Sequence, residues 1–324
     1  MCPRNTEPGQ RGLPAPPRVP RDSPGGIGTK KKGAPVLEYH VYDVFTDRPF
    51  AGNPLAVVMG ADGLSTAQMQ VIAREFNLSE TIFVMAPRDP ANTARVRIFF
   101  PTAEIPFAGH PTIGCALHLA GGQDGRILLE EEAGLVPVEI REGQAEFIAP
   151  KLPVAHPGKT DAELIARALD LPATAIGFAG HRPGIWQGGP AFLFVPVAGL
   201  DDLAAARPIE PSWSRLMAEA QVDSAYLYTA GDSGFRARMF SPTAGIPEDP
   251  ATGSASAILA AQLLESGALT EDETHILLQQ GIEMGRPSRI GLTAILRGGK
   301  LDEIRISGKA VPIAEGRIRV PEET

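Results

Sequence analysis

Glu80 opens the segment Ser79-Glu80-Thr81-Ile82-Phe83-Val84, and strand alternation puts its side chain on the same face as Ile82 and Val84. A carboxyl on an apolar face is partly desolvated, which raises its pKa and suits it to take and return a proton near neutral pH. A plainer role is also open to it, that of a strand-opening glutamate paired with Arg74 or Arg97, since structural ion pairs also perturb carboxylates. Two loops carry the other candidates. His110-Pro111 and Asp249-Pro250 each stand at a run of small residues, Thr112-Ile113-Gly114-Cys115 and Ala251-Thr252-Gly253-Ser254. Aspartate is a strong helix N-cap and proline suits the first helical position, so both loops read as helix starts. The free N–H groups there bind a carboxylate or phosphate, helped by the macrodipole. Two such starts facing one cleft would hold a small anionic metabolite; taken singly, each is also just a well-capped helix.

Other chemistry has less behind it. Cys115 and His118 stand three apart on one predicted helix, but no second Cys/His pair completes a metal site, and both read as core. His40, His156, His181 and His275 show no convergent partners. There is no GxxxxGK[ST] or HExxH, and the glycines at 25, 26 and 28 follow no strand, so no dinucleotide fingerprint is formed. Nothing in the sequence calls for a metal or a cofactor.

The elements that must bring Glu80, His110 and Asp249 together come from a chain that repeats itself. Arg97-Ile-Phe-Phe-Pro-Thr-Ala-Glu-Ile-Pro106 matches Arg238-Met-Phe-Ser-Pro-Thr-Ala-Gly-Ile-Pro247 at seven of ten positions, an offset of 141. After a slip of two the match resumes, His110-Pro111 against Asp249-Pro250, Gly114 against Gly253, Cys115 against Ser254 and Ala116 against Ala255. Further on, Ile127-Leu128-Leu129 echoes Ile276-Leu277-Leu278. A solenoid needs three or more copies; two large ones point instead to twin domains across a cleft. Apolar periodicity predicts strands at 39–45, 81–85, 96–99, 127–131, 135–140 and 145–149, an apolar run at 55–59, and helices at 67–76, ended by Asn77, and 111–120. In the second copy it predicts helices at 162–169 and 250–264 and strands at 192–197, 225–229, 237–240, 276–279, 289–295, 303–307 and 317–320. This mixed alternation is α+β rather than doubly wound. The expected division is a first repeat domain over 36–155, with the C-terminal strand 311–324 a candidate to join it, and a second over 156–310.

The 324 residues are 43 % apolar and 21 % charged with a net charge of −8, ordinary values for a globular chain and no basis for nucleic-acid binding. Residues 1–35 differ, with eight prolines, six glycines, no aromatic residue and a net charge of +5. That composition cannot offset chain entropy, so a disordered tail is expected. It lacks the apolar core of a secretory leader, and its Lys30-Lys31-Lys32 run reads as solubilising. Two cysteines, Cys2 and Cys115, build no disulfide framework and fit a reducing, cytoplasmic setting. No apolar run reaches the roughly 18 residues of a membrane span.

Five segments carry a resemblance: Phe50-Ala51-Gly52-Asn53-Pro54, Asn77-Leu78-Ser79-Glu80-Thr81, Pro106-Phe107-Ala108-Gly109-His110-Pro111-Thr112, Glu248-Asp249-Pro250-Ala251-Thr252-Gly253-Ser254-Ala255 and Gly285-Arg286-Pro287-Ser288. In this order, from 39 to about 320, they resemble the phenazine-biosynthesis isomerase-like (PhzF) family. The resemblance implies a diaminopimelate-epimerase-type fold, two similar domains from an internal duplication, each a sheet wrapped around a central helix, with the site between them. It implies cofactor-free proton transfer with Glu80 as the acid/base, His110 and Asp249 supporting it, and Gly109, Gly253 and Ser254 holding the substrate through the helix starts. It also implies a homodimer. The related epimerases use two cysteines at the helix starts; here Ala108-Gly109-His110 and Asp249-Pro250-Ala251 contain none, which disfavours two-thiol racemisation. The resulting expectation is an isomerase of a small carboxylate-bearing metabolite. The alternatives are an epimerase or racemase with a non-cysteine base pair, and a non-catalytic small-molecule-binding protein of the same fold.

Overall fold

The computed structural model describes residues 35–323. The expected disordered tail lies outside the described residues, Pro35 excepted.

The first half runs β1 (Val36–Val44), β2 (Asn53–Val58), α1 (Thr66–Phe76), β3 (Glu80–Met85), β4 (Ala94–Phe99), β5 (Glu104–Ile105), α2 (Gly109–Ala120), β6 (Gly125–Glu131), β7 (Gly134–Arg141) and β8 (Gln144–Ile148). A crossing segment holds β9 (Val154–Ala155) and α3 (Ala162–Ala168). The second half runs β10 (Gly184–Gln187), β11 (Ala191–Pro196), α4 (Leu200–Ala205), α5 (Ser212–Ala220), β12 (Ala225–Gly231), β13 (Gly234–Ser241), β14 (Ile246–Asp249), α6 (Gly253–Glu265), β15 (Glu273–Gln280), β16 (Ser288–Arg297), β17 (Lys300–Gly308) and β18 (Ala310–Arg319).

The strand ladders of the two halves are the same. β2 runs parallel to β3, β3 antiparallel to β4, β4 parallel to β6, and β6, β7 and β8 form a meander. β11, β12, β13, β15, β16 and β17 repeat that pattern in order. Three ladders tie the chain across its length: β8 pairs with β17, β9 with β10, and β18 returns to pair with β1. The repeated arginine is ion-paired in both halves but by acids at non-matching positions, Arg97 to Glu104 and Arg238 to Glu248, since Gly245 stands where Glu104 would repeat.

Each half wraps its sheet around one helix. α6 buries ten of its residues and α2 its first eight, as helices that are apolar nearly all round must. Around them the main core gathers Val44, Leu55, Val138, Phe147, Leu292 and Ile306. A smaller core lies under α1, where Met69 and Ile72 meet Phe83 and Phe99, and another where α3 and α5 pack, with Leu164, Trp213 and Leu216. Ser65 and Gln68 form the capping box that starts α1, and Asn77 ends it in the left-handed region at φ 49°. No helix among the described residues is long and apolar enough to cross a membrane.

Two expected helix starts are displaced. α2 begins at Gly109, so His110 and Pro111 lie inside its first turn. α6 begins at Gly253 with Thr252 before it, and Asp249 is the last residue of β14. Both expectations assumed that the residue before proline caps the helix. The backbone instead stays extended through Asp249, and its carboxylate turns to side chains. Sequence periodicity also missed α4 and α5, two short helices separated by a connection that holds Pro208 and Pro211.

Candidate active site

Glu80 begins β3 and is 9 % exposed. Its partner is neither Arg74 nor Arg97. Arg97 is committed to Glu104, and Glu80 Oε2 lies 3.1 Å from His110 Nδ1. His110 is buried in the first turn of α2. Burial alone would lower its imidazole pKa; the Glu80 carboxylate, with smaller help from Asp249 and the Pro54 carbonyl, outweighs burial and raises it.

Asp249 is buried as well. Its carboxylate accepts from Asn53 Nδ2 at 2.9 Å, from Ser79 Oγ at 3.2 Å and from the Thr252 hydroxyl. Burial and then the Glu80 charge push it up to about 6, against the opposing pull of His110, Thr252 and Asn53. Two carboxyl groups and an imidazole thus lie buried side by side, a setting suited to exchange of a proton.

The helix starts complete the geometry. Neither α2 nor α6 has a side-chain cap, so their first N–H groups are left for another acceptor. The two starts touch: a Cβ on Gly109 would lie 3.2 Å from Gly253 Cα, and one on Gly253 equally close to Gly109 Cα. Ser254 follows in the first turn of α6, half-buried. The structure thus brings Glu80 and His110 into contact, sets Asp249 close enough for its charge to act on His110, and places Gly109 against Gly253. Outside the Glu80–His110 ion pair, two buried polar atoms here, His110 Nε2 and Asn53 Oδ1, have no hydrogen-bond partner within the described protein. Buried polar atoms are normally satisfied, so this group is what a bound polar molecule would use.

Four supporting residues were not singled out by sequence reasoning. Asn53 also donates to the Ala251 carbonyl at 3.0 Å, and Arg286 ties Asp43 to the Ala51 and Gly52 carbonyls. Gln280 Nε2 donates to the Asp249 carbonyl at 2.8 Å and to Thr252 Oγ1 at 3.0 Å, and its Oε1 accepts from Thr252 N. The last is Glu131, at the matching end of β6 in the first half. Thr112 Oγ1 lies 2.8 Å from the Ala108 carbonyl and 2.7 Å from Glu131 Oε1. One hydroxyl proton cannot serve two acceptors. Burial pushes Glu131 up to about 8, so at neutral pH it is the donor to Thr112. The signal for both was present in the repeat: Ile127 onward matches Ile276 onward, which sets Glu131 opposite Gln280. Histidines expected to lack partners also have them, since His40 meets Glu38 and His118, His181 meets Tyr228, and His275 meets Thr293.

Asp249→Ala separates scaffold from chemistry. Losing a buried acceptor for three donors costs about 1–3 kcal/mol. Turnover per folded molecule is expected to fall further, by about a hundredfold, the low end of what a positioned acid/base group supplies. Thermal melts alongside activity measure both; unchanged turnover in the folded fraction makes Asp249 purely structural.

A family model for phenazine biosynthesis-like proteins matches residues 42–316 of this chain. The chain belongs to the PhzC-PhzF family. An uncharacterized isomerase of Mesorhizobium japonicum is 43 % identical over 295 residues, covering 86 % of this chain and 98 % of the relative. A trans-2,3-dihydro-3-hydroxyanthranilate isomerase of Pseudomonas chlororaphis is 36 % identical over 282 residues, with 86 % and 98 % covered. Among solved structures, a PhzF-family phenazine biosynthesis protein of Bacillus anthracis superposes with a TM-score of 0.79 at 25 % identity, covering 88 % of this chain and 99 % of the other. This PhzF-family chain is accordingly an isomerase with a mixed α+β fold.

Proposed function

We propose that the protein is a cofactor-independent isomerase that moves a proton within a small carboxylate-bearing metabolite. The observation that carries this reading is the buried Glu80–His110 contact of 3.1 Å beside two uncapped helix starts. Glu80 takes a proton from carbon next to an unsaturated or carbonyl system and returns it at another carbon. His110 balances the charge on Glu80 as the proton comes and goes, and Asp249 holds the local field. Backbone N–H groups around Gly109, Gly253 and Ser254 bind the substrate carboxylate. Because a relative of 36 % identity is named for it, trans-2,3-dihydro-3-hydroxyanthranilate is the first substrate to test, in heavy water with product analysis at each carbon. Turnover with movement of hydrogen supports the reading; tight binding with no exchange at any carbon makes the protein a binder. Family likeness also supports a cytoplasmic homodimer, read by sedimentation.

Thiol chemistry has no place in this proposal. Cys115 is fully buried inside α2, where burial and then the nearby Glu131 push its thiol pKa up, away from the reactive thiolate. Cys115→Ser is expected to keep turnover per folded molecule within about twofold, while the buried hydroxyl lowers stability by about 1–3 kcal/mol. Kinetics on the folded variant check this, and a folded but inactive serine variant would restore a thiol mechanism.

A further inference from the structure

On the outer face of the second half's sheet lies a cavity of about 580 Å³ that the reaction site does not use. Alternation places it. Leu278, Ile290, Leu292 and Ile306 point into the core around the central helices, so Leu277, Gln279, Arg289, Gly291 and Ser307 face the other way, and all five line this cavity. Glu80, His110 and Asp249 do not.

Three cations reach it from distant parts of the chain, Arg48, Arg289 and Lys309. None of them makes an ion pair among the described residues, although Arg97, Arg236, Arg238 and Arg286 are all closely paired. The acid in the lining is Asp47, which leaves a local charge of about +2 at neutral pH.

The backbone that gathers them is held at a cost. Phe45 has φ 63°, a region that bulky residues avoid. In that conformation its N–H donates to the Lys309 carbonyl at 2.7 Å and its carbonyl accepts from Arg289 N at 2.7 Å. One residue thus fixes two of the cation-bearing segments side by side, and Thr46 Oγ1, accepting from Arg48 N at 3.2 Å, sets the turn that carries the third. Strain of this kind persists where the surroundings over-determine it, and marks places worth a functional hypothesis. The floor is polar and recessed: a Cβ at position 291 would strike Ser307 Oγ at 2.2 Å, so glycine there leaves room for that hydroxyl to face the cavity.

We infer that this cavity is a second binding site, separate from the reaction site, for a small dianion such as a phosphate monoester or a dicarboxylate. Arg48, Arg289 and Lys309 supply charge-assisted donors, and Ser307 and Gln279 supply neutral ones. The inference does not rest on the proposed reaction.

Titration calorimetry on the full chain at fixed ionic strength tests it, with inorganic phosphate in one arm and malonate in the other. Saturable binding is expected in at least one arm, and the arm that responds tells phosphate from dicarboxylate chemistry. The Arg289→Glu/Lys309→Glu variant is expected to weaken that binding by about tenfold or more, and Arg289→Gln by less, while Glu80→Gln retains it. Both substituted side chains are exposed, so melting temperature should hold. Absence of saturable binding in both arms, or undiminished binding in the double variant, overturns the inference. So does a changed sedimenting mass in the double variant, which would make this face a subunit contact.

Discussion

Glu80→Gln is expected to lose about 10²–10⁴-fold in turnover while the protein still folds and binds its ligand. Glutamine keeps the size and shape of the side chain at the head of β3, so the tight packing of that all-buried strand is undisturbed. Its amide cannot accept a proton at neutral pH. His110 would remain, but without the Glu80 carboxylate at 3.1 Å the largest influence raising its pKa is gone, and a neutral buried imidazole lacks the partner with which it exchanged charge. Transition-state stabilisation is lost rather than ground-state binding, so kcat should fall with little change in ligand Kd. In heavy water the wild type either washes deuterium into the migrating position or transfers the original proton; the variant should do neither. An active Glu80→Gln enzyme would move the acid/base role to another pair, with His110 and Asp249 the remaining buried candidates.

Much of the fold was open to inspection in the sequence because it is written twice. The match of Arg97–Pro106 to Arg238–Pro247 required equal local structure in both copies, and the ladders of the two halves agree strand for strand. Periodicity found the long elements, since alternating or helical apolar patterns follow directly from which face is buried. It passed over α4, whose six residues are too few to establish a period, and α5, although Trp213, Leu216, Met217 and Ala220 stand there at helical spacing. It also failed at the helix starts. Asp249 before Pro250 carries the local signature of an N-cap, but buried donors from Asn53, Ser79 and Thr252 compete for its carboxylate. Asn53 and Ser79 lie about 170 to 200 residues away in sequence, and no local pattern reports them. Glu80 was visible through its apolar face, but its partner was not: Arg74 and Arg97 were the nearer cations in sequence, and only the packing of α2 against β3 brings His110 to it.

The repeat carries one further consequence, at Glu131. In the second half an amide, Gln280, secures the start of the central helix; in the first half a carboxyl occupies that place and meets Thr112. A carboxyl can imitate the amide donor only while protonated. With its pKa raised to about 8 by burial, against roughly 4.3 in an unfolded chain, Glu131 binds a proton in the folded state that the unfolded state releases anywhere between those values. Folding stability then falls as pH rises through that window, by about 1.4 kcal/mol per pH unit for one proton, and levels off above about 8. Below about 4 the contribution is complete. Glu131→Gln supplies the donor without the titrating proton, so its stability should lack that slope, and at pH 7 it should exceed the wild type by roughly 4 kcal/mol. Glu131→Ala should instead be destabilised, because it leaves a cavity and a Thr112 hydroxyl with one partner fewer. Urea unfolding from pH 5 to pH 9 reads all three proteins on one scale. A glutamine variant with the wild-type slope, or one less stable than wild type at pH 7, would show that Glu131 is ionised in the folded protein and that Thr112 is its donor.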